Sequence, residues 1–371
     1  MTNYRPTFAE IDLDAIRGNV RALRATITAP HALAVVKANA YGHGDVPVAK
    51  ACLEAGADWL AVALVEEGVR LREAGIDAPI LTLIEPTPDA AKELIAQRIT
   101  PSVFGLAAAH AVSEAAVAAG TAHPVHVCVD TGMHREGTAV AEAAGVVESV
   151  ARLPGLVVEG LWSHFAVSDE ETNPFTSTQL ERFAGVCEAV ARKGIDIPIR
   201  HIGNSVTAMA LEDANLDLVR MGIAMYGLYP APWLERRVSL RPAMRLVSAV
   251  GNVHHLAAGE GVSYGHEYTT SQPTTIATVL IGYADGYPRP LSNKASVLVG
   301  AKRRRLAGRV TMDQIMVDCG SDDVGVGDEA VLIGSQNGEE ITAGELADLV
   351  GTIHYEVVCG VSARVPRTYT G

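Results

Sequence analysis

The residues that could do chemistry mostly follow short apolar runs. Lys37 ends one of them, in Ala34-Val-Val-Lys-Ala-Asn-Ala-Tyr-Gly-His-Gly44. A lysine closing an apolar strand is partly desolvated, which favours the neutral amine, a nucleophile able to form a Schiff base with a carbonyl group. The competing reading is a lysine snorkelling at a strand end. Further along come Arg135 in Asp130-Thr-Gly-Met-His-Arg, His164 in Trp162-Ser-His-Phe, Asn204 with Ser205, and Arg220 in Val219-Arg-Met-Gly-Ile. A serine ahead of a helix, with backbone N–H groups at a glycine, makes a phosphate cradle. Taken singly, each has a plain alternative, since Asn-Ser can cap a helix and a lone histidine can be a satisfied structural residue. Tyr264, in Gly261-Val-Ser-Tyr-Gly, is a turn aromatic unless a cationic partner makes it a base.

Eight apolar runs must position these groups: Ala32–Val36, Trp59–Leu64, Ile80–Leu83, Ile99–Val103, Val125–Val129, Leu156–Trp162, Ile197–Ile202 and Leu216–Arg220. Most are followed by Ala-rich helical stretches such as Val65–Ala74, Leu106–Ala119 and Ser177–Arg192. Repeated β-then-α units fit an α/β protein with a (β/α)8 TIM-type barrel, whose strand C-termini build the active site. A doubly wound open sheet is the competitor. After Tyr226 the texture turns to short β runs between Gly, Pro and Asn, with one helix expected at Ala343–Val350. The expected division is therefore a barrel over 1–235 and an all-β domain over 236–371.

Composition narrows the class. The 371 residues carry 30 Lys plus Arg against 43 Asp plus Glu, a net charge of −13, with 48% hydrophobic and 20% charged residues. That is globular composition, and its acidity speaks against a nucleic-acid or anionic-membrane partner. The five cysteines are widely spaced and include no C-x-x-C pair, so neither a disulfide framework nor a zinc cage is expected. His126, Cys128 and Asp130 share one face of a strand, formally a ligand set, but no fourth ligand is evident and no metal is expected. The opening residues hold no apolar segment of the secretory type, and no run approaches the roughly 18 apolar residues that span a bilayer. A cytoplasmic enzyme is the expectation. Walker A, G-x-G-x-x-G, H-E-x-x-H and G-x-S-x-G signatures are absent.

The stretch Val35–Gly44 resembles the cofactor signature of the bacterial alanine racemases, pyridoxal-phosphate enzymes of fold type III. The resemblance continues through Asp130-Thr-Gly-Met, Trp162-Ser-His-Phe-Ala, Asn204-Ser, Val219-Arg-Met-Gly-Ile, Gly261-Val-Ser-Tyr-Gly, Gly282-Tyr-Ala-Asp-Gly-Tyr-Pro-Arg, Gly308-Arg-Val-Thr-Met-Asp-Gln and His354-Tyr-Glu. It covers essentially the whole chain and implies the same barrel and β domain. By it, Lys37 would hold pyridoxal 5′-phosphate and serve as one base of a two-base racemisation of alanine, supplying D-alanine for peptidoglycan. Tyr264 would be the other base, contributed across the interface of a head-to-tail homodimer. Arg220 would face the pyridine nitrogen, with His164 bridging it to Tyr264. Tyr41, Asn204, Ser205, Gly222, Ile223 and Tyr355 would bind the cofactor, most of them at its phosphate. Arg135 and the backbone of Met312 would meet the substrate carboxylate. Tyr283, Arg289 and Arg309 would line the entrance, with Leu83 and Tyr355 limiting side-chain size.

Two neighbouring positions depart from the family. Many members carry a lysine, often carbamylated, where this chain has Cys128, and a glycine where it has His134. Activity is expected without carbamylation. The rivals are a serine or broad-specificity racemase, a decarboxylase on the same barrel, which Arg220 opposes, and a non-catalytic pyridoxal-phosphate binding protein, which the β domain with Tyr264 opposes.

Overall fold

All eight expected runs overlap strands in the computed structural model, which describes residues 4–371. They are His31–Val35, Trp59–Val62, Ile80–Thr82, Ser102–Val103, His123–Asp130, Leu156–Trp162, Ile199–His201 and Leu218–Met221. Ladders join the eighth strand to the first, second and third, and the fourth to the fifth, sixth and seventh, all parallel. Two seams complete the circle. Thr100 bridges the third and fourth strands, donating its N–H to Ile80 O at 2.8 Å while its carbonyl accepts from Thr82 at 3.0 Å. On the other side Asp217 N–H meets Arg200 O at 3.0 Å and Arg220 N–H meets Gly203 O at 3.2 Å. This closure distinguishes a barrel from an open sheet. Leu33, Ala34, Leu60 and Ala61 are all fully buried, as expected of parallel strands covered on both faces.

Residue contacts divide the chain into two units. One comprises Ala15–Ala40 and Asp45–Arg241; the other comprises the segment through Asp14, Tyr41–Gly44 and Pro242–Gly371. The sequence placed one boundary between 235 and 236, whereas two early segments here join the later unit. Phe8–Asp12 forms a strand, antiparallel to Met244–Leu256 and parallel to Arg367–Thr370. Its partners lie more than two hundred residues away, and nothing local announces such a pairing. Tyr41–Gly44 packs against the helix His354–Cys359, which the sequence reading did not anticipate.

The β-rich unit is built on a nine-stranded sheet around the long strand Met244–Leu256, whose register shifts between Val250 and Asn252. That irregularity lets its first half pair with Glu329–Gln336 and its second half with Thr274–Val279. The expected helix is present at Ala343–Val350, where Thr342 caps Glu345 N–H at 3.0 Å. The basic run Lys302–Arg305 is answered within its own unit: Lys302 and Arg304 pair with Asp322, Arg303 pairs with Glu345, and Arg305 donates to Asn293 O.

Candidate active site

The chain turns left-handed immediately after Lys37. Ala38, Asn39, Ala40 and Tyr41 have φ of 52°, 54°, 52° and 51°. Left-handed helical backbone costs a non-glycine residue about 1–2 kcal/mol, so such a turn persists only where its surroundings impose it. In the barrel unit Glu67 does so. Its carboxylate accepts from Ala38 N at 2.7 Å and from Ala63 and Leu64 N at 2.8 and 3.1 Å. Asn39 Oδ1 accepts from Asp45 N at 3.1 Å, and Asp45 in turn pairs with Arg70 at 2.6 Å.

The end of the turn is braced within the β-rich unit. Gly42 (φ +82°) gives its carbonyl to Arg367 Nε at 2.9 Å, and a Cβ there would lie 2.2 Å from Val358 O, so only glycine fits. The Tyr41 ring lies 6.2 Å from that of Tyr355. Burial pushes the Tyr41 phenol well above its usual value, so it remains a hydrogen-bond donor.

Arg220 organises the barrel side. It is 3% exposed and lies 5.0 Å over the Trp162 ring. One terminal nitrogen donates to His201 Nδ1 at 2.7 Å. The other shares its two hydrogens among Ser163 O at 2.8 Å, Ile202 O at 3.1 Å and His164 Nδ1 at 3.0 Å. A guanidinium only donates, so both Nδ1 atoms are acceptors and both imidazoles are neutral, with the proton on Nε2. The electrostatics agree. His164 is pushed down to about 3, by burial first and then by the Arg220, Arg135 and Lys37 charges. Burial likewise holds His201 well below the ordinary imidazole range. Arg220 itself is drawn down to about 10 by burial and stays charged at neutral pH. Its Nε–H makes no hydrogen bond among the described residues, which suits an unprotonated ring nitrogen as acceptor.

Ser205 lies beside Gly222: its Oγ accepts from Gly222 N at 2.8 Å and Ala224 N at 3.4 Å, with Ile223 between them. This hydroxyl among backbone N–H groups suits a phosphate. Asn204 takes the alternative role, for its Oδ1 caps Val206 and Thr207 N at 2.9 and 3.3 Å while its amide donates to Ser168 at 2.9 Å. Arg135 is exposed and makes no hydrogen bond or ion pair among the described residues. Asp130 holds its loop instead, accepting from Gly132 and His134 N at 3.0 and 2.9 Å and from His134 Nδ1 at 2.9 Å. Cys128 is buried beside it, and burial pushes its thiol up, so it is an uncharged neighbour.

In the β-rich unit Tyr264 is 71% exposed on a turn with left-handed Ser263 and His266. Ser263 Oγ donates to Arg309 O at 2.9 Å, and the Arg309 guanidinium pairs with Glu267. Met312 is 52% exposed and Tyr283 also reaches solvent; the loops bearing them are joined by Ala284 N–H to Met312 O at 3.0 Å. Sequence reasoning noted His126 only as a formal metal ligand and missed Glu67, Glu159 and His201. His201 alone had a signal, since it ends a barrel strand three residues before Asn204.

Family models for the alanine racemase N-terminal domain and C-terminal domain match residues 11–230 and 243–369. The chain is 50% identical to the alanine racemase of Symbiobacterium thermophilum, covering 100% of this chain and 99% of that one. The crystal structure of alanine racemase from D-cycloserine-producing Streptomyces lavendulae superposes with a TM-score of 0.95 at 44% identity, covering 100% and 98%. That from Bacillus anthracis, with bound L-Ala-P, gives 0.95 at 38% identity over 100% and 96%. The chain belongs to the alanine racemases, the pyridoxal-phosphate-dependent isomerases that interconvert L- and D-alanine.

Proposed function

We propose that Lys37 and the partner subunit's Tyr264 are the two bases of this alanine racemase, working in a head-to-tail homodimer. Racemisation removes a proton from one face of Cα and returns one to the other, so acid–base groups must flank that carbon. Bound pyridoxal phosphate supplies the electron sink that makes the Cα–H acidic. Lys37 holds the cofactor and moves the proton on one face, and the tyrosine phenol serves the opposite face. His164 donates its Nε2–H toward that phenol, while its Nδ1 is committed to Arg220. Arg220 donates to the ring nitrogen and keeps its own proton. Ser205, Gly222, Ile223, Tyr41 and Tyr355 hold the phosphate, Asn204 fixes the segment bearing Ser205, Arg135 and Met312 orient the substrate carboxylate, and Tyr283 guards the entrance. The product D-alanine serves peptidoglycan synthesis in the cytoplasm. Among the described residues no helix is long and apolar enough to cross a membrane.

The observation that carries the reading is the exposure of Tyr264 on a turn braced from below, in a unit that also exposes Met312 and Ile353. A second copy is the natural cover for these side chains. Mixed dimers test it. Lys37→Ala and Tyr264→Phe subunits, each nearly inactive alone, are dissociated and reassociated together. If Tyr264 crosses the interface, each heterodimer holds one intact site and activity returns; if both bases come from one chain, none returns.

A further inference from the structure

We infer that Glu159 and His126 are positioning residues for the reaction: with His201 they complete a chain of hydrogen bonds, directed outward from Arg220, that holds its guanidinium in one orientation. The four residues come from the fifth to eighth barrel strands, one from each. His201 Nε2 lies 2.9 Å from His126 Nδ1, and His126 Nε2 lies 3.3 Å from Glu159 Oε2. The direction of every bond follows from Arg220. It can only donate, so His201 accepts at Nδ1 and carries its proton on Nε2. That proton must go to His126 Nδ1, which leaves the His126 proton on Nε2, aimed at the carboxylate. In the other His126 tautomer two N–H groups would confront each other across 2.9 Å in the core.

Local structure serves this chain of contacts. Register on the sixth strand jumps from Val158 opposite Val125 to Gly160 opposite His126, so Glu159 is a bulged residue with no partner across the ladder. Such bulges re-aim side chains. Gly160 leaves room for the ring, since a Cβ there would lie 2.3 Å from His126 Nδ1. The Trp162 indole stacks over His201 at 5.8 Å and 8°, with Arg220 over the same indole. Both histidines are fully buried, while the Glu159 side chain is 29% exposed. Burial lowers the proton affinity of both rings, in keeping with neutral tautomers. Without an acceptor at 159 the His126 N–H is orphaned in the core, and the disturbance passes through His201 to Arg220.

The inference rests on Arg220 facing the cofactor's ring nitrogen, but its first test does not. Nitrogen-15 spectra of the histidine-labelled holoenzyme should show His126 and His201 both neutral and protonated on Nε2, assigned by their loss in His126→Asn and His201→Asn. A protonated His126, or an Nδ1–H tautomer at either ring, overturns the inference. In Glu159→Leu the His201 resonances should shift with those of His126, cofactor absorbance should change, and kcat should fall about tenfold at little-changed KM. Glu159→Gln, whose carbonyl still accepts, should restore all three. A Glu159→Leu protein with native His201 resonances and kcat, and only a lower Tm, makes Glu159 merely structural and refutes the proposal. A shift at His201 without a change in cofactor absorbance keeps the chain of contacts and instead faults the placement of Arg220.

Discussion

The turns bearing Lys37 and Tyr264 both use left-handed backbone at non-glycine positions, but they are supported differently. Ala38–Tyr41 form four such residues in succession, and Glu67 and Asn39 brace the turn through hydrogen bonds to main-chain N–H groups. The Tyr264 turn has Ser263 and His266 left-handed, is tied through Ser263 and Arg309, and leaves the phenol largely in solvent. The turn beside one candidate base is thus tied down by hydrogen bonds along its length, whereas the other base is presented to something outside its unit. Strain of this kind persists at functional sites because surrounding contacts over-determine it. The difference accords with a site completed by a second copy.

Removing each base separately sharpens the contrast most. Lys37→Ala should abolish detectable interconversion of L- and D-alanine by chiral chromatography, because in the proposed roles it loses both a base and the cofactor's attachment. Tyr264→Phe should lower kcat by about 10²–10⁴-fold, the range of a lost general acid–base group. In D2O that variant should still exchange the α-proton of one enantiomer, and proton NMR would show it. Exchange of both enantiomers at the native ratio would make Tyr264 no base at all.

Acid should act on the barrel unit's buried imidazoles. Unfolded, His126, His164 and His201 protonate near 6.5, whereas folded they are held lower, His164 to about 3. The unfolded state therefore binds more protons below pH 6.5, and stability falls as pH drops from there toward 3. Each such histidine contributes up to about 1.4 kcal/mol per pH unit. Urea midpoints between pH 7 and pH 4.5 would check this, and His201→Asn should flatten the slope. A midpoint constant over that range would mean these rings are not buried neutral.

The smallest effect concerns strain itself. Ala38 is exposed and left-handed, so Ala38→Gly removes a steric cost and little packing. Relief of about 1–2 kcal/mol, less the greater freedom of glycine when unfolded, should leave a gain below about 1 kcal/mol in calorimetry. A lower Tm would show that the turn carries no such cost.

Much of the barrel was legible because each parallel strand is a short apolar run followed by a helix, a pattern local in sequence. Lys37, Arg220 and Ser205 stood out because polar groups at the ends of such runs are conspicuous. Glu67 was not, since a glutamate on a helix looks like any solvated residue until the chain folds it under Ala38 N–H. Glu159 was hidden for a similar reason: its direction depends on a bulge that exists only against the neighbouring strand. Asn204 carried both readings in the sequence, and hydrogen bonding assigned its side chain to capping.

By itself, then, the sequence determined the order of the barrel's strands, the family, and the residue types available for chemistry, because these follow from periodicity and short motifs. Tertiary structure alone decided which residues brace the Lys37 turn, which tautomers His126 and His201 adopt, and that Phe8–Asp12 belongs with strands at the far end of the chain. Those outcomes depend on partners dozens to hundreds of residues apart, and hydrogen-bond direction and backbone strain take definite values only once such partners meet.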